Sequence, residues 1–166
     1  MENITIWLTG LPCSGKTTIA KRIEYLTSYI NLDGDDLRTK LNSDLSFTPE
    51  DRAENLRRVG HLSQLFNDKR INVICSFVSP TDELREEAFK SIKNLFIVYV
   101  KCSPETCAKR DEKGMWKKAR SGEIPMFTGY SAPYNPPENA DLVLDTEELD
   151  LDSCVDKLLE VIDLNC

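Results

Sequence analysis

Gly10-Leu11-Pro12-Cys13-Ser14-Gly15-Lys16-Thr17 sets two glycines, a lysine and a hydroxyl at the spacing G-x-x-x-x-G-K-[ST], with no mismatch. That spacing suits a polyphosphate. Loop N–H groups and a helix N-terminus converge on phosphate oxygens, and the aligned peptide dipoles favour their charge. Gly10, Cys13, Ser14 and Gly15, with Lys16, Thr17 and Thr18 at the helix start, are therefore candidate nucleotide-binding residues. Lys16 is expected to reach the β- and γ-phosphates, and the Thr17 hydroxyl to bind Mg²⁺. ATP and Mg²⁺ are the expected cofactors. Alkylation of Cys13, inside the loop, is expected to block ATP.

A second set of side chains suits an acceptor. Leu32-Asp33-Gly34-Asp35-Asp36 ends an apolar run, and ligands of parallel sheets bind beyond the carboxyl ends of strands. Asp33 and Asp35 there can hold Mg²⁺ through water or take a proton from an attacking hydroxyl. Asp36 reads as an ordinary first-turn acid. Arg52 and Asn55 are three apart and share a helix face; with Arg38, a pair of arginines suits phosphate or sulfate. Phe47 and Phe127 are aromatics in polar surroundings. Two such rings can clamp a nucleobase, although either alone is more often core. Ser79, in Phe77-Val78-Ser79-Pro80, either faces the site or starts the next helix.

Placing these residues requires alternating strands and helices. The strand-like runs are 3–8, 29–32, 72–77, 95–100 and 141–144; 72–77 and 95–100 are almost continuously apolar, as in strands buried on both faces. The helical runs are 16–27, 36–42, 49–67, 81–92, 104–112 and 151–162. Thr48-Pro49 and Ser103-Pro104 each pair an N-cap with a first-turn proline. The alternation predicts an α/β fold, a parallel sheet flanked by helices, in one domain spanning 1–166. Residues 113–137 break the pattern: long, with the basic set Lys113, Lys117, Lys118 and Arg120, they read as a lid closing over phosphates.

Composition narrows the function classes. The chain has 166 residues, 40% hydrophobic and 30% charged, with a net charge of −7. An acidic chain does not favour a nucleic-acid backbone, so an anionic small molecule must be held by a local basic cluster. No apolar run approaches the roughly 20 residues of a membrane span. With the first strand near residue 3, no room for a signal peptide is expected, and the cytoplasm is the expected compartment. The six cysteines form no C-x-x-C pair and the single His61 has no cysteine nearby, so zinc is not expected. Without an N-K-x-D segment a GTPase is excluded, and a motor or transporter ATPase needs a far larger chain. A small kinase remains: phosphoryl transfer needs Mg²⁺, positioning, positive charge and an oriented hydroxyl.

At this level of detail the chain resembles the adenylyl-sulfate kinases (APS kinases), P-loop kinases that phosphorylate the ribose 3′-hydroxyl of adenosine 5′-phosphosulfate with ATP. The resemblance runs from residue 7 to about 146. It rests on Trp7-Leu8-Thr9-Gly10-Leu11 with the phosphate loop, Leu32-Asp33-Gly34-Asp35, Phe47 through Gly60, Phe77-Val78-Ser79-Pro80, Arg110-Asp111, Lys113-Gly114, Lys117-Lys118-Ala119-Arg120 and Phe127-Thr128-Gly129. It implies that Asp35 lies near the acceptor hydroxyl and Mg²⁺, with Asp33 close by. It also implies that Arg38, Arg52 and Asn55 grip phosphosulfate and ribose, and that Phe47 and Phe127, beside Thr128, form the base clamp. Arg110 would lie against the ATP adenine, and Lys113 would open the lid. Ser79 matches the serine to which the family assigns a phosphoserine intermediate, although in-line transfer needs no covalent enzyme step.

Departures from the family pattern cluster on the acceptor side. Pro12-Cys13 replaces a small, serine-containing pair, and Ser46 stands where many members have glycine. Ser131 and Asn135 replace acids, and Tyr130 an isoleucine. The chain is also expected to lack the N-terminal extension of many members. Relatives acting on cytidine diphosphoramidate in capsule biosynthesis leave a second acceptor open. A catalytically idle, nucleotide-binding regulatory subunit is a third reading, opposed by intact Lys16, Thr17, Asp35 and Arg52. Family members are often dimers, so a homodimer is a candidate state.

Overall fold

The computed structural model describes residues 3–165. Five strands form one parallel sheet: β1 (Thr5–Thr9), β2 (Ile30–Asp33), β3 (Val73–Ser76), β4 (Leu95–Lys101) and β5 (Leu142–Asp145), in the order β2-β3-β1-β4-β5. The helices are α1 (Lys16–Leu26), α2 (Gly34–Thr39), α3 (Pro49–Asp68), α4 (Asp82–Phe89), α5 (Pro104–Lys109), α6 (Met115–Arg120) and α7 (Leu151–Asn165). The expected strands shift by no more than about two residues at either end.

Side-chain alternation along the strands divides the core. Ile6 and Leu8 of β1, with Ile74 and Val98, pack against Ile19, Ala20 and Ile23 of α1 and Val155 and Leu158 of α7. Trp7, Val73 and Cys75 point the other way, onto Leu56 and Val59 of α3 and Ala88 of α4. Both faces are covered, which is why these strands read as unbroken apolar runs. β1 lies between β3 and β4, so the chain winds to either side of it, and the loop after β1 opens into the crevice where ligands bind such sheets.

The segment expected as a lid is not all loop. Trp116 and Ala119, three apart on α6, are buried with Leu11, Cys102, Cys107 and Phe127 in a third apolar cluster beyond the ends of β1 and β4. Lys117, Lys118 and Arg120 stay exposed. Cys13, Cys75, Cys102, Cys107 and Cys154 are free thiols; Cys166 lies outside the described residues. Among the described residues no helix is long and apolar enough to cross a membrane, and no group of three or more His, Cys, Asp and Glu is gathered for a metal.

Candidate active site

The phosphate loop joins β1 to α1. Gly15, at φ 109°, holds the left-handed turn that opens α1, a conformation suited to glycine. Cys13 also adopts a left-handed backbone, at φ 69°. Its Sγ lies 3.8 Å from Asp111 Oδ1, and burial and that carboxylate push the thiol above its ordinary value. Lys16 is buried, and its Nζ donates to Gly10 O at 2.9 Å and Leu11 O at 2.7 Å. Burial pushes its ammonium down to about 8.

The two acids of the second segment have separate surroundings. Asp33 ends β2 and caps α2, its Oδ1 accepting Asp35 N at 3.0 Å. Its Oδ2 accepts the Thr17 and Ser76 hydroxyls, each at 2.7 Å. Burial works against the Asp33 charge, but those hydroxyls and the amides of Asp35 and Asp36 hold the carboxyl below its ordinary value. The structure thus ties the Thr17 hydroxyl to Asp33. Asp35 is exposed and forms an ion pair with Lys113 Nζ at 2.6 Å, which raises the lysine. Asp35 and Arg38 are three apart on α2 and share its face.

Arg38 and Arg52 meet at Phe47. Their guanidinium carbons lie 4.2 and 5.8 Å from the centroid of this ring, which is 65% exposed. Arg38 also donates to Ser46 O, and Arg52 to Phe47 O. Arg52 further reaches Met126 O at 3.1 Å and Thr128 Oγ1 at 3.4 Å, linking α3 to the segment after α6. Burial lowers both guanidiniums from their ordinary value, and at Arg38 the Arg52 charge adds to this. Two like charges held together favour an anion. Asn55, a turn beyond Arg52, is buried and accepts Asn42 Nδ2 at 2.9 Å.

Two expected site residues are engaged in internal contacts. Phe127, expected as half of a clamp with Phe47, packs into the third apolar cluster. It is 7% exposed and packs edge-to-face on Trp116, centroids 5.0 Å apart. Its backbone is bound into a tight turn: Phe127 O accepts the amides of Tyr130, Ser131 and Ala132, and Ser131 Oγ accepts Phe127 N. Ser79 carries no free nucleophile. Its hydroxyl is buried, accepts Trp7 Nε1 at 3.1 Å and donates to Phe77 O, on a left-handed backbone at φ 38°.

Other contributors were not legible. Thr146, after β5, receives Arg110 Nη1 at 2.9 Å and donates to Ser14 O at 2.9 Å, so Arg110 braces the back of the phosphate loop. Trp116 Nε1 donates to Pro12 O at 3.1 Å. Arg85, buried in α4, donates to Ser79 O at 2.9 Å and Asn135 O at 2.7 Å, and Tyr134 OH lies 3.0 Å from Thr9 Oγ1, pinning the far end of segment 113–137 to the sheet. Thr146, Trp116, Arg85 and Tyr134 sit in none of the segments that carry the resemblance; each depends on contacts across the fold.

The arrangement is a phosphate cradle, a buried carboxylate on its threonine, an exposed carboxylate, and two arginines about an open aromatic ring. The chain as a whole is similar to proteins of one family. The adenylylsulphate kinase family model matches residues 2–145. The chain is 45% identical over 165 residues to an adenylyl-sulfate kinase of Staphylococcus epidermidis, covering 95% of this chain and 83% of that one. It is 46% identical over 169 residues to one of Thermodesulfovibrio yellowstonii, covering 97% and 82%. Among solved structures, the Mycobacterium tuberculosis APS kinase CysC in complex with AMPPNP and APS superposes with a TM-score of 0.86 at 41% identity, covering 98% and 97%. The chain belongs to the adenylyl-sulfate kinase family.

Proposed function

We propose that this chain transfers the γ-phosphoryl group of ATP to the ribose 3′-hydroxyl of adenosine 5′-phosphosulfate. The observation that carries this reading is the pair of guanidiniums held over the exposed Phe47 ring. The ring offers a stacking face to a base, and the charges offer partners to an anhydride, beside the face of α2 that bears Asp35. Membership of the family supports the same acceptor.

The protein's part is positioning and charge. Lys16 exchanges the carbonyls of Gly10 and Leu11 for oxygens of the β- and γ-phosphates. Arg38 and Arg52 hold the 5′ end of the acceptor, so that its 3′ oxygen points at the terminal phosphorus. Asp35 receives the hydroxyl proton as the oxygen attacks, once Lys113 gives up its ion pair and moves toward phosphate with the lid. Mg²⁺ fits the donor set: the Thr17 hydroxyl and the Asp33 and Asp35 carboxylates are hard oxygens of the kind it prefers. When bound, it neutralises charge on the phosphoryl oxygens. The reading needs only small-molecule partners, fits a cytoplasmic enzyme with access to ATP, and is compatible with a homodimer.

A coupled ADP-release assay with each acceptor tests it. Turnover with adenosine 5′-phosphosulfate is expected. Turnover on cytidine diphosphoramidate alone would move the acceptor to the cytidine compound, and ATP binding without turnover on either would point to a regulatory protein. The relatives named above are adenylyl-sulfate kinases, which lends the cytidine compound no support.

A further inference from the structure

Asn42 follows α2, in the turn that leads to α3, with its backbone N–H on Leu37 O at 2.8 Å. Its side chain is fully buried and donates from Nδ2 to Asn55 Oδ1 at 2.9 Å. Asn42 Oδ1 is buried with no hydrogen-bond partner among the described residues. A buried carbonyl is rarely left unmatched, so this amide is oriented for its neighbour and not for its own hydrogen bonds. The neighbour is Asn55, on the α3 face that also bears Arg52.

An amide whose oxygen is turned to a donor on one side presents its NH₂ group on the other. Phosphate and sulfate oxygens accept hydrogen bonds and donate none. Rotation of both amides would give the Asn55 N–H to Asn42 Oδ1 and turn the Asn55 carbonyl toward the anion, which it repels. We propose that Asn42 is a positioning residue: by occupying Asn55 Oδ1, it turns the Asn55 NH₂ group toward the anionic 5′ anhydride of the acceptor. This rests on the reading of Asn55 as an acceptor contact.

The test is a double-mutant cycle on the full chain, reading kcat, the KM for adenosine 5′-phosphosulfate and the KM for ATP, with Tm as the folding control. Asn55→Ala should raise the acceptor KM roughly tenfold or more, the effect of removing a hydrogen bond to a charged group. Asn42→Ala should raise it roughly fivefold, with the ATP KM unchanged. In the Asn55→Ala background, Asn42→Ala should change the acceptor KM by less than about twofold, because its effect passes through Asn55. If the two effects multiply instead, Asn42 acts independently of Asn55 and the proposal is wrong, while the acceptor site stands. If Asn55→Ala leaves the acceptor KM unchanged, the reading of Asn55 fails and takes the proposal with it. Should Asn42→Ala not fold, the near-isosteric, uncharged Asn42→Leu, which has no N–H to give, replaces it in the same cycle with the same outcomes.

Discussion

The Lys16 ammonium makes ATP affinity depend on pH with a defined sign. In the nucleotide-free chain, burial brings it from 10.5 down to about 8. A triphosphate beside it favours the charged form and brings the value back toward 10.5. The folded, free chain therefore loses the lysine proton as pH rises through 8, and binding must restore it. By linkage, with a bound value of 10.5, the charged fraction of free Lys16 falls from about 90% at pH 7 to about 3% at pH 9.5, and affinity falls about 25-fold. Other groups contribute little in this window. A terminal phosphate is fully ionised above roughly pH 7, and the Cys13 thiol is pushed upward, away from ionising. Isothermal titration of ATP at fixed Mg²⁺ between pH 7 and 9.5 measures the slope, and repeating it in buffers of different ionisation enthalpy measures the proton taken up. Lys16→Arg, whose guanidinium stays charged throughout, should flatten the profile whatever its absolute affinity. An unchanged Kd across the range, or the same slope in Lys16→Arg, would refute the reasoning.

The two phenyl rings should part company. Phe47→Ala should raise the acceptor KM by about 1–3 kcal/mol of lost stacking, with Tm almost unchanged because the ring is exposed, whereas Phe127→Ala should cost roughly 3–5 kcal/mol of stability, read as a lowered denaturation midpoint. Ser79→Ala should keep its kcat and lose about 1 kcal/mol of stability, since its hydroxyl holds Trp7 Nε1; abolished turnover in a folded variant would restore the covalent role. Gly129→Ala places a Cβ 2.7 Å from Leu11 Cδ2 and 2.8 Å from Trp116 Cη2, at φ 92°. Thermal unfolding should show about 1–3 kcal/mol of destabilisation. Asp35→Ala should lose turnover while titration still shows ATP bound; an unchanged kcat would remove its role.

What was legible followed from local chemistry. The phosphate loop is contiguous, so its ligand class is written in one stretch, and buried parallel strands announce themselves as apolar runs. The caps at Thr48 and Ser103 marked α3 and α5 because each cap is satisfied within a few residues. α6 escaped notice because it has six residues, starts after a left-handed Gly114, and turns only Trp116 and Ala119 inward, too few for a helical period to emerge. Phe127 looked like a clamp because its neighbours in sequence are polar; the apolar partners that bury it, Leu11, Cys102 and Cys107, arrive from elsewhere in the fold. Thr146 and Asn42 were invisible for a related reason. A single hydroxyl or amide has no pattern, and its meaning comes from the carbonyl or amide it meets.

The most direct test of the central claim is where the phosphoryl group lands. The chain, incubated with Mg·ATP and adenosine 5′-phosphosulfate, should yield ADP and a nucleotide whose new phosphorus resonance couples to the ribose H3′ proton in ³¹P–¹H NMR. Coupling to H2′, a phosphate carried on the 5′ side, or ADP formed with no modified nucleotide would contradict the account.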